Sequence, residues 1–276
     1  MKILRTVNEL RRELASLTDL GFVPTMGALH AGHASLLRQA RKDCSTVVLS
    51  IFVNPTQFGP NEDLARYPRQ EEQDLKLADM EGTDVVFIPS VSEIYTSETA
   101  VVRVDGPSAL WEGAARPGHF EGVATVVAKL FHIVGPCRAY FGLKDLQQCA
   151  VIRAMAAALF FPIELRFCET VREPSGLAMS SRNAYMTATD KESASQIYHS
   201  LKIAAQSLSL GDTRKEIDLC LHNAKDLLES TNMSIDYLDV VDSTTMLPSQ
   251  RIEAGHRIIV AVRFAGVRLI DNVLIQ

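Results

Sequence analysis

Two histidines, His30 and His33, stand where an apolar segment passes through glycine into a helical pattern. Residues 20–23 suit a buried strand, and apolar residues within 36–40 recur at the three- and four-residue spacing of a helix. Backbone N–H groups and the positive end of the helix dipole attract anions at such a helix start. Because histidines three residues apart share one face of a helix, the spacing predicts imidazole donors for nucleotide phosphates that gain charge in a displacement at phosphorus.

The glycines of the same segment, Gly27 and Gly32, leave room for a phosphate to approach the backbone. Two other interpretations of the histidines stay open at this point. They could ligate zinc, although their spacing brings no third cysteine, histidine or carboxylate with it. They could also be ordinary residues of a surface helix cap, since short motifs recur by chance.

The size and charge of the chain indicate an enzyme with a small substrate. Its 276 residues suffice for two domains, each with its own core. A net charge of -5 gives no basic surface, so nucleic acid and acidic membranes find no support as partners. The five cysteines are odd in number and form no C-x-x-C pair, which argues against a disulfide framework or a zinc ribbon and favours reduced, buried thiols.

No segment of the sequence has the pattern of a targeting peptide or a membrane span. Residues 1–17 alternate charged and apolar side chains, unlike a signal peptide. The longest apolar run, at 154–163, falls well short of the roughly 18 residues that a spanning helix needs. We therefore expect the protein to be cytoplasmic.

Short strand-like runs alternate with helical patterns in the first part of the chain. This alternation predicts an α/β fold with a doubly wound parallel sheet. Strands are expected at 22–26, 46–53, 84–88 and 138–141, and helices at 34–42, 69–81, 120–134 and 145–160. In such folds ligands bind beyond the carboxyl ends of the strands. Polar residues follow three of these ends, namely His30 and His33, Asn54 and Gln57, and Lys144 and Asp145.

The pattern changes after about residue 168, where the polar segment at 169–186 contains proline and glycine. Two helices, at 189–208 and 213–230, are expected to follow it. Strands are then expected at 235–241, 257–264 and 267–272. We expect a smaller α+β domain here, with the polar segment as a hinge or lid.

Other clusters of polar residues have both a functional and a structural interpretation. The amides within 54–59 could bind hydroxyl and carboxylate groups, or the segment could be a plain turn. Lys144 could bind phosphate, or it could be a solvated lysine beside a helix-capping Asp145. The run at 179–183 could bind phosphate oxygens or form a serine-rich linker. The glycine-bounded loop at 116–122 adds two groups that could assist anion binding, Arg116 and His119.

Two common nucleotide-binding motifs are missing from the sequence. It contains no G-x-x-x-x-G-K-[ST] P-loop and no strand-associated G-x-G-x-x-G. Kinase-like phosphoryl transfer and a standard dinucleotide dehydrogenase are therefore not indicated. The predicted nucleotide site must be of another kind.

Five long motifs occur in order: PTMGALHAGH at 24–33, SIFVNPTQFGPNEDLARYPR at 50–69, RPGHFEGV at 116–123, YFGLKDLQQ at 140–148 and GLAMSSRNAYM at 176–186. With RLIDN at 268–272, this order resembles the pantoate–β-alanine ligases, AMP-forming enzymes of the HIGH-motif nucleotidyltransferase superfamily. The resemblance implies a Rossmann-like domain at 1–170 that binds ATP and pantoate. It also implies a smaller C-terminal lid domain at 171–276, which begins with a KMSKS-like loop, and a homodimer.

The same resemblance implies the site residues. Catalysis would use His33, His30 and Lys144. Pantoate would contact Gln57 and Gln148, and β-alanine would also contact Gln57. ATP would be bound by a larger set: Met26, Gly27, Ala28, Leu29, His30, Ala31, Gly32, His33, Gly142, Leu143, Lys144, Asp145, Val171, Met179, Ser180, Ser181 and Arg182. Other residues would line the site, namely Asn54, Tyr67, Arg116 and His119, and Asp74 would be an outer contact of Mg²⁺.

The implied reaction condenses D-pantoate with β-alanine through a pantoyl adenylate, with Mg-ATP giving AMP and pyrophosphate. Leu143 stands where the family usually has Glu or Gln, and we expect altered packing without loss of activity. Two alternatives are a nucleotidyltransferase of the same superfamily that does not use β-alanine, and a non-catalytic nucleotide-binding module. The second is disfavoured by intact polar groups, namely His30, His33, Lys144, Ser180 and Arg182.

Overall fold

The computed structural model describes residues 1–60, 62–98 and 100–276, so Asn61, within the motif at 50–69, and Thr99 lie outside the described residues. The chain divides into two compact units. Unit 1 comprises residues 1–143 and 151–169, and unit 2 comprises residues 144–150 and 170–276. The domain boundary expected after residue 170 stays a prediction.

Unit 1 is built on a parallel sheet. Its strands, within the described ranges, are β1 (Lys2–Leu4), β2 (Leu20–Thr25), β3 (Thr46–Ile51), β4 (Val85–Phe87), β5 (Cys137–Gly142) and β6 (Ile163–Cys168). They lie in the order β1-β4-β3-β2-β5-β6, with every neighbouring pair parallel. The order reverses between β2 and β5, and a doubly wound sheet binds ligands at the carboxyl ends of the strands at such a point. The predicted α/β fold class is confirmed.

Helices occupy the connections between the strands of this sheet. They are α1 (Val7–Leu14), α2 (Ala31–Asp43), α3 (Glu71–Met80), α4 (Val91–Ile94), α5 (Glu112–Ala115) and α6 (His119–Val134), followed by α7 (Leu146–Ala158). Helix α2 buries Leu37 and Ala40 in a cluster with Val23 and Leu49, which are paired across β2 and β3. Burial of this apolar stripe fixes α2 on the sheet, with its N-terminus at the carboxyl end of β2.

Unit 2 has an antiparallel sheet covered by helices. Helices α8 (Ala188–Ala194), α9 (Gln196–Ser207) and α10 (Arg214–Glu229) precede strands β7 (Ser234–Asp242), β8 (His256–Phe264) and β9 (Val267–Leu274). The strand order is β7-β8-β9. Alternate β8 residues, Ile258 and Val260, share a buried cluster with Leu201 of α9 and Ile217 of α10. This arrangement confirms the expected α+β character of the second half.

The structure differs from the sequence predictions in several elements, and helices α1, α4 and α5 were not predicted. The helix expected at 189–208 is two helices, α8 and α9, which meet at Ser195; its Oγ donates to the carbonyl of Glu192 at 2.6 Å. Strands β1 and β6 were not predicted. Both are edge strands, and β6 alternates half-buried and exposed residues, so neither has the apolar run of a central strand. Among the described residues no helix is long and apolar enough to cross a membrane.

Candidate active site

The loop after β2 adopts a backbone conformation in which a glycine is required. Gly27 has φ +82° and Ala28 has φ +51°, both in the left-handed region. A Cβ at Gly27 would lie 2.9 Å from Asp74 Oδ2 and 3.0 Å from Ile51 Cγ2, so a side chain there would push the loop from its place. The predicted site segment 26–33 therefore begins with a tightly specified turn at the switch point of the sheet.

Asp74 of α3 holds this loop. Its side chain is 1% exposed, and its two carboxylate oxygens accept the backbone N–H groups of Ala28 at 2.9 Å and Leu29 at 2.7 Å. The described residues contain no group of three or more His, Cys, Asp or Glu that could hold a metal ion. This geometry favours a positioning role for Asp74, and its predicted contact with Mg²⁺ stays a prediction.

The two histidines form a reciprocal cap at the start of α2. His30 is the N-cap, and its Nδ1 accepts the backbone N–H of Gly32 at 3.1 Å. His33 Nδ1 accepts the backbone N–H of His30 at 3.3 Å, and the ring centroids lie 4.1 Å apart. Because each Nδ1 is an acceptor, the neutral rings carry their protons on Nε2. Helix capping and donation to a ligand thus use different atoms of the same rings.

Two buried amides, Asn54 and Gln57, lie at the carboxyl end of β3. Asn54 caps the 3-10 turn Pro55–Gln57, as the turn interpretation requires. Its Nδ2 also donates to Gln57 Oε1 at 3.1 Å and to the carbonyl of Gly122 at 3.1 Å. Gln57 Nε2 donates to Met26 Sδ at 3.1 Å, which joins this segment to the loop after β2. The two predicted segments are therefore in contact.

Tyr95, together with Thr56, fixes the orientation of both amides, and sequence reasoning missed it. Its hydroxyl donates to Asn54 Oδ1 at 2.7 Å, so Asn54 must present its NH₂ group to Gln57 Oε1. Gln57 must in turn present its own NH₂ group away from Asn54. Burial raises the pKa of Tyr95, which keeps the hydroxyl protonated as a donor. A tyrosine just after the short helix α4 carries no sequence signal for such a role.

The loop at 116–122 contributes an ion pair and a buried histidine. Arg116 donates to both oxygens of Glu62, at 2.7 and 2.6 Å. Burial would raise the pKa of Glu62, but the Arg116 hydrogen bonds hold it below its usual value. His119 Nδ1 lies 2.9 Å from the carbonyl of Gln57, and its Nε2 lies 3.1 Å from an Arg116 nitrogen. Burial, and then the charge of Arg116, lower the pKa of His119 to about 4.

His119 should make the stability of the protein depend on pH. Its pKa is about 4 when folded, against 6.5 for an unperturbed histidine, so the unfolded chain binds more protons between these values. The stability is therefore fully present above pH 6.5 and falls as the pH drops towards 4, by about 3 kcal/mol from this group. We expect His119→Gln to lose less stability than the wild type between about pH 7 and pH 4.5 in urea unfolding. Equal losses in the two proteins would contradict this.

The remaining predicted site residues of unit 1 are Tyr67, in a buried aromatic contact, and Gly142 and Leu143, at the end of β5. Tyr67 is buried, with its ring at 5.8 Å from that of Phe58 in an edge-on contact. Gly142 ends β5, and a Cβ added there would meet no atom within 4 Å. Leu143 opens the 3-10 turn Leu143–Asp145 and is half-buried. The turn keeps the F-G-x-K-D segment at the carboxyl end of β5.

Unit 2 carries the other predicted residues. Lys144 Nζ lies 3.7 Å from Asp145 Oδ1, and Gln148 follows on α7. The polar segment expected as a hinge or lid contains a β-hairpin at 171–179. Met179 N–H donates to the carbonyl of Val171 at 3.0 Å, and Ser180 then caps the 3-10 turn Ser181–Tyr185 through a bond from the Arg182 N–H at 3.3 Å. The segment is thus folded, unlike a serine-rich linker.

Comparison with known proteins shows which family this chain resembles over its whole length. Residues 2–274 match the protein-family model described as Pantoate-beta-alanine ligase. The chain is 47% identical over 274 residues to the pantothenate synthetase of Exiguobacterium sibiricum, covering 99% of this chain and 98% of the relative. It is 48% identical over 280 residues to that of Chloroflexus aurantiacus, covering 100% and 99% of the two chains.

Solved structures of similar proteins agree with these relatives. The crystal structure of pantothenate synthetase from Thermus thermophilus has a TM-score of 0.93 at 45% identity, with 100% of this chain and 99% of that chain covered. Pantoate-beta-alanine ligase from Francisella tularensis, complexed with beta-gamma ATP and beta-alanine, has a TM-score of 0.82 at 36% identity. Here 99% of this chain and 97% of that chain are covered. The similarity extends over both units.

Proposed function

The chain belongs to the pantoate–β-alanine ligase family and is a ligase; on that premise we propose that it condenses D-pantoate with β-alanine to pantothenate, converting ATP to AMP and pyrophosphate. The observation that carries the proposal is the capped histidine pair at the switch point of the sheet, joined through Met26 to the oriented amide of Gln57. This arrangement supplies donors for phosphate beside a donor for an organic acid.

The reaction has two displacement steps. A carboxylate oxygen of pantoate attacks the α-phosphorus of ATP, and the bond to the bridging oxygen breaks to release pyrophosphate. The amine nitrogen of β-alanine then attacks the acyl carbon of the adenylate, loses a proton, and AMP leaves with the shared oxygen. No protein atom becomes covalently attached, so the protein acts by positioning and electrostatic stabilisation.

The histidines act on the first step. Their Nε2–H groups, fixed by the reciprocal cap, donate to the phosphates as charge moves onto pyrophosphate. The backbone contributes a close approach for the nucleotide at Gly32, which has no side chain, whereas the side-chain position of Gly27 faces Asp74 and Ile51 and serves the turn. The rings remain neutral donors in this scheme, because protonation of Nδ1 would break the cap.

Gln57 selects the organic substrates. Its NH₂ group, oriented by Asn54 and Tyr95, donates to a hydroxyl or carboxylate oxygen of pantoate and then of β-alanine, in place of its contact with Met26 Sδ. Neutral Asn54, Tyr67 and His119 line this part of unit 1 with Arg116, whose charge is already paired with Glu62. The amide thus recognises an acid through a neutral donor.

Unit 2 supplies a second set of nucleotide-binding groups in this proposal. Lys144 and the hydroxyls and guanidinium of 180–182 bind phosphate oxygens, and Asp145 lies near the ribose, to which Gly142 of unit 1 is also assigned. The backbone of Val171, at the start of the hairpin, binds adenine. Gln148 adds a pantoate contact. The hairpin at 171–179 gives these groups a folded support.

The proposal also covers the metal ion, the oligomeric state and the location of the protein in the cell. Mg²⁺ arrives with the substrate as Mg-ATP and is held mainly by phosphates and water. The protein works as a homodimer, which sedimentation of the purified protein tests. It acts in the cytoplasm, which fractionation of the source cells tests.

The test of the function is product analysis with purified protein, Mg-ATP, D-pantoate and β-alanine. We expect AMP, pyrophosphate and pantothenate in equal amounts, with no products when pantoate is left out and only a single-turnover amount of pyrophosphate when β-alanine is left out. ADP as the nucleotide product would overturn the proposal. AMP transfer to a stable dinucleotide, with no dependence on β-alanine, would instead support the nucleotidyltransferase alternative.

The hydroxyl of Tyr95 should affect substrate binding through the two amides. We expect Tyr95→Phe to raise the KM for pantoate about fivefold, the effect of one lost hydrogen bond that fixes the amide orientation. Steady-state kinetics with pantoate as the varied substrate measures this. The matched control is Tyr140→Phe, which removes a hydroxyl that donates to Asp43 and should leave the KM unchanged. An equal KM in all three proteins would contradict the prediction.

A further inference from the structure

The terminal motif RLIDN matches the family order but has no role in the function proposed so far. Its last two residues, Asp271 and Asn272 of β9, are 5% and 3% exposed although both are polar. We propose that Asp271 and Asn272 are positioning residues that hold the two ATP-binding segments of unit 2, the 171–182 segment and Lys144. This inference rests on the proposed function, because it takes these segments to bind ATP.

Asp271 anchors the hairpin through Arg172. The two oxygens of Asp271 accept from the Arg172 guanidinium at 2.6 and 2.9 Å, and the carboxylate side chain is only 3% exposed. The same guanidinium donates to the carbonyl of Gly176 at 3.1 Å, in the turn of the hairpin. Its central carbon lies 3.8 Å from the ring centroid of Tyr198 in α9. Arg172 is thus fixed on three sides, and a bidentate pair defines its plane.

The anchored hairpin determines where the phosphate-binding loop begins. Arg172 pairs with Ala178 in an antiparallel bridge, and Met179 N–H donates to the carbonyl of Val171 at 3.0 Å. Asn183 Nδ2 then donates to Glu173 Oε1 at 2.9 Å and to the carbonyl of Ala178 at 3.1 Å. The residues between them, 180–182, are therefore held at both ends by a hairpin whose first strand is tied to Asp271.

Asn272 holds Lys144 by its backbone. Asn272 Nδ2 donates to the carbonyl of Lys144 at 3.2 Å. Asn272 Oδ1 accepts from Arg257 at 2.9 Å, and Arg257 is itself 7% exposed. Because an arginine has no acceptor, this contact fixes the amide with its NH₂ group towards Lys144. Adjacent residues of one strand therefore tie both segments to the same rigid sheet.

A double-mutant cycle on ATP binding tests the inference. The dissociation constant of ATP is measured by calorimetry without the organic substrates. We expect Asn272→Ala to weaken binding about tenfold in the wild-type background and to have no further effect in Lys144→Ala, since it acts through that residue. Asp271→Asn should likewise weaken binding about tenfold, and by a smaller factor in Arg182→Ala, since it acts partly through that residue. An unchanged dissociation constant, or equal losses in both backgrounds, would overturn the inference.

The matched control is Asp239→Asn. Like Asp271, Asp239 accepts from an arginine, Arg214, and from the backbone N–H of the next residue. The Asp239→Asn variant should have a lower melting temperature and an unchanged dissociation constant for ATP. If it also bound ATP more weakly, general destabilisation would explain the Asp271→Asn effect, and the inference would be overturned. Asn272→Ser retains a shorter side chain with a donor, and it replaces Asn272→Ala in the binding measurement if that variant does not fold. If the wild type binds ATP but forms no pantothenate, the proposed function fails while this inference is still tested.

Discussion

Replacing His33 with alanine is expected to lower the rate of adenylate formation by about 10²-fold or more, with a much smaller change in the KM for ATP. The reason is that its Nε2–H would donate mainly to charge that develops in the transition state. Single-turnover measurements of the pantoyl adenylate formed from Mg-ATP and pantoate report this step directly. An unchanged single-turnover rate would remove His33 from the catalytic groups.

His33 also caps α2, so the catalytic and structural effects must be separated. His33→Ala should lose about 1 kcal/mol of stability with the cap. His33→Asn retains an acceptor close to the position of Nδ1 but has no group at Nε2, so it should be stable and still slow. His222→Ala, which changes an exposed histidine of α10, is the control and should retain full activity. A fast His33→Asn would show that capping alone accounts for the loss.

Replacing Asp74 with alanine is expected to reduce both stability and activity strongly. The change leaves the N–H groups of Ala28 and Leu29 without their acceptors in a buried place, which costs about 2–5 kcal/mol of folding free energy. The loop then relaxes from the left-handed conformation at Gly27 and Ala28, and adenylate formation should fall at least about tenfold. Urea unfolding and the single-turnover assay measure the two effects.

Two variants test whether an Asp74 effect is specific to its buried carboxylate. Asp79→Ala changes an exposed aspartate on the same helix and should leave stability and rate near the wild-type values. Asp74→Asn keeps the volume of the side chain and one acceptor oxygen, so its effects should lie between those of the wild type and Asp74→Ala. If Asp74→Ala binds and turns over ATP normally, the loop does not depend on its carboxylate.

Much of the fold could be predicted because its signals are local. Apolar runs of strand length alternate with helix-spaced patterns, and β2, β3, β4 and β5 are found close to the expected ranges. The edge strands β1 and β6 were missed since one side of an edge strand has no partner and its sequence lacks the apolar pattern of a central strand. The predicted helix at 189–208 is divided at Ser195, whose hydroxyl donates to the carbonyl of Glu192.

The candidate site shows the same limit. The histidines, Gln57, Lys144 and the serine–arginine run could be proposed from the sequence because each follows a recognisable strand end or lies in a polar loop. Tyr95, by contrast, reaches Asn54 from 41 residues away in sequence, and no pattern around it indicates this contact. Asp74 was expected near a metal, yet both of its oxygens accept backbone N–H groups of the loop.

The chemical groups and the local geometry that presents them follow from local sequence: a strand, a glycine turn and a helix start with two histidines on one face. These depend on neighbouring residues, whose spacing dictates backbone conformation. Contacts distant in sequence set the orientation of these groups, through Asp74 on the loop, Tyr95 on the amides and Asp271 on Arg172. Such bonds join residues far apart in the chain, so their partners exist only once sheet order and packing bring them within hydrogen-bond distance.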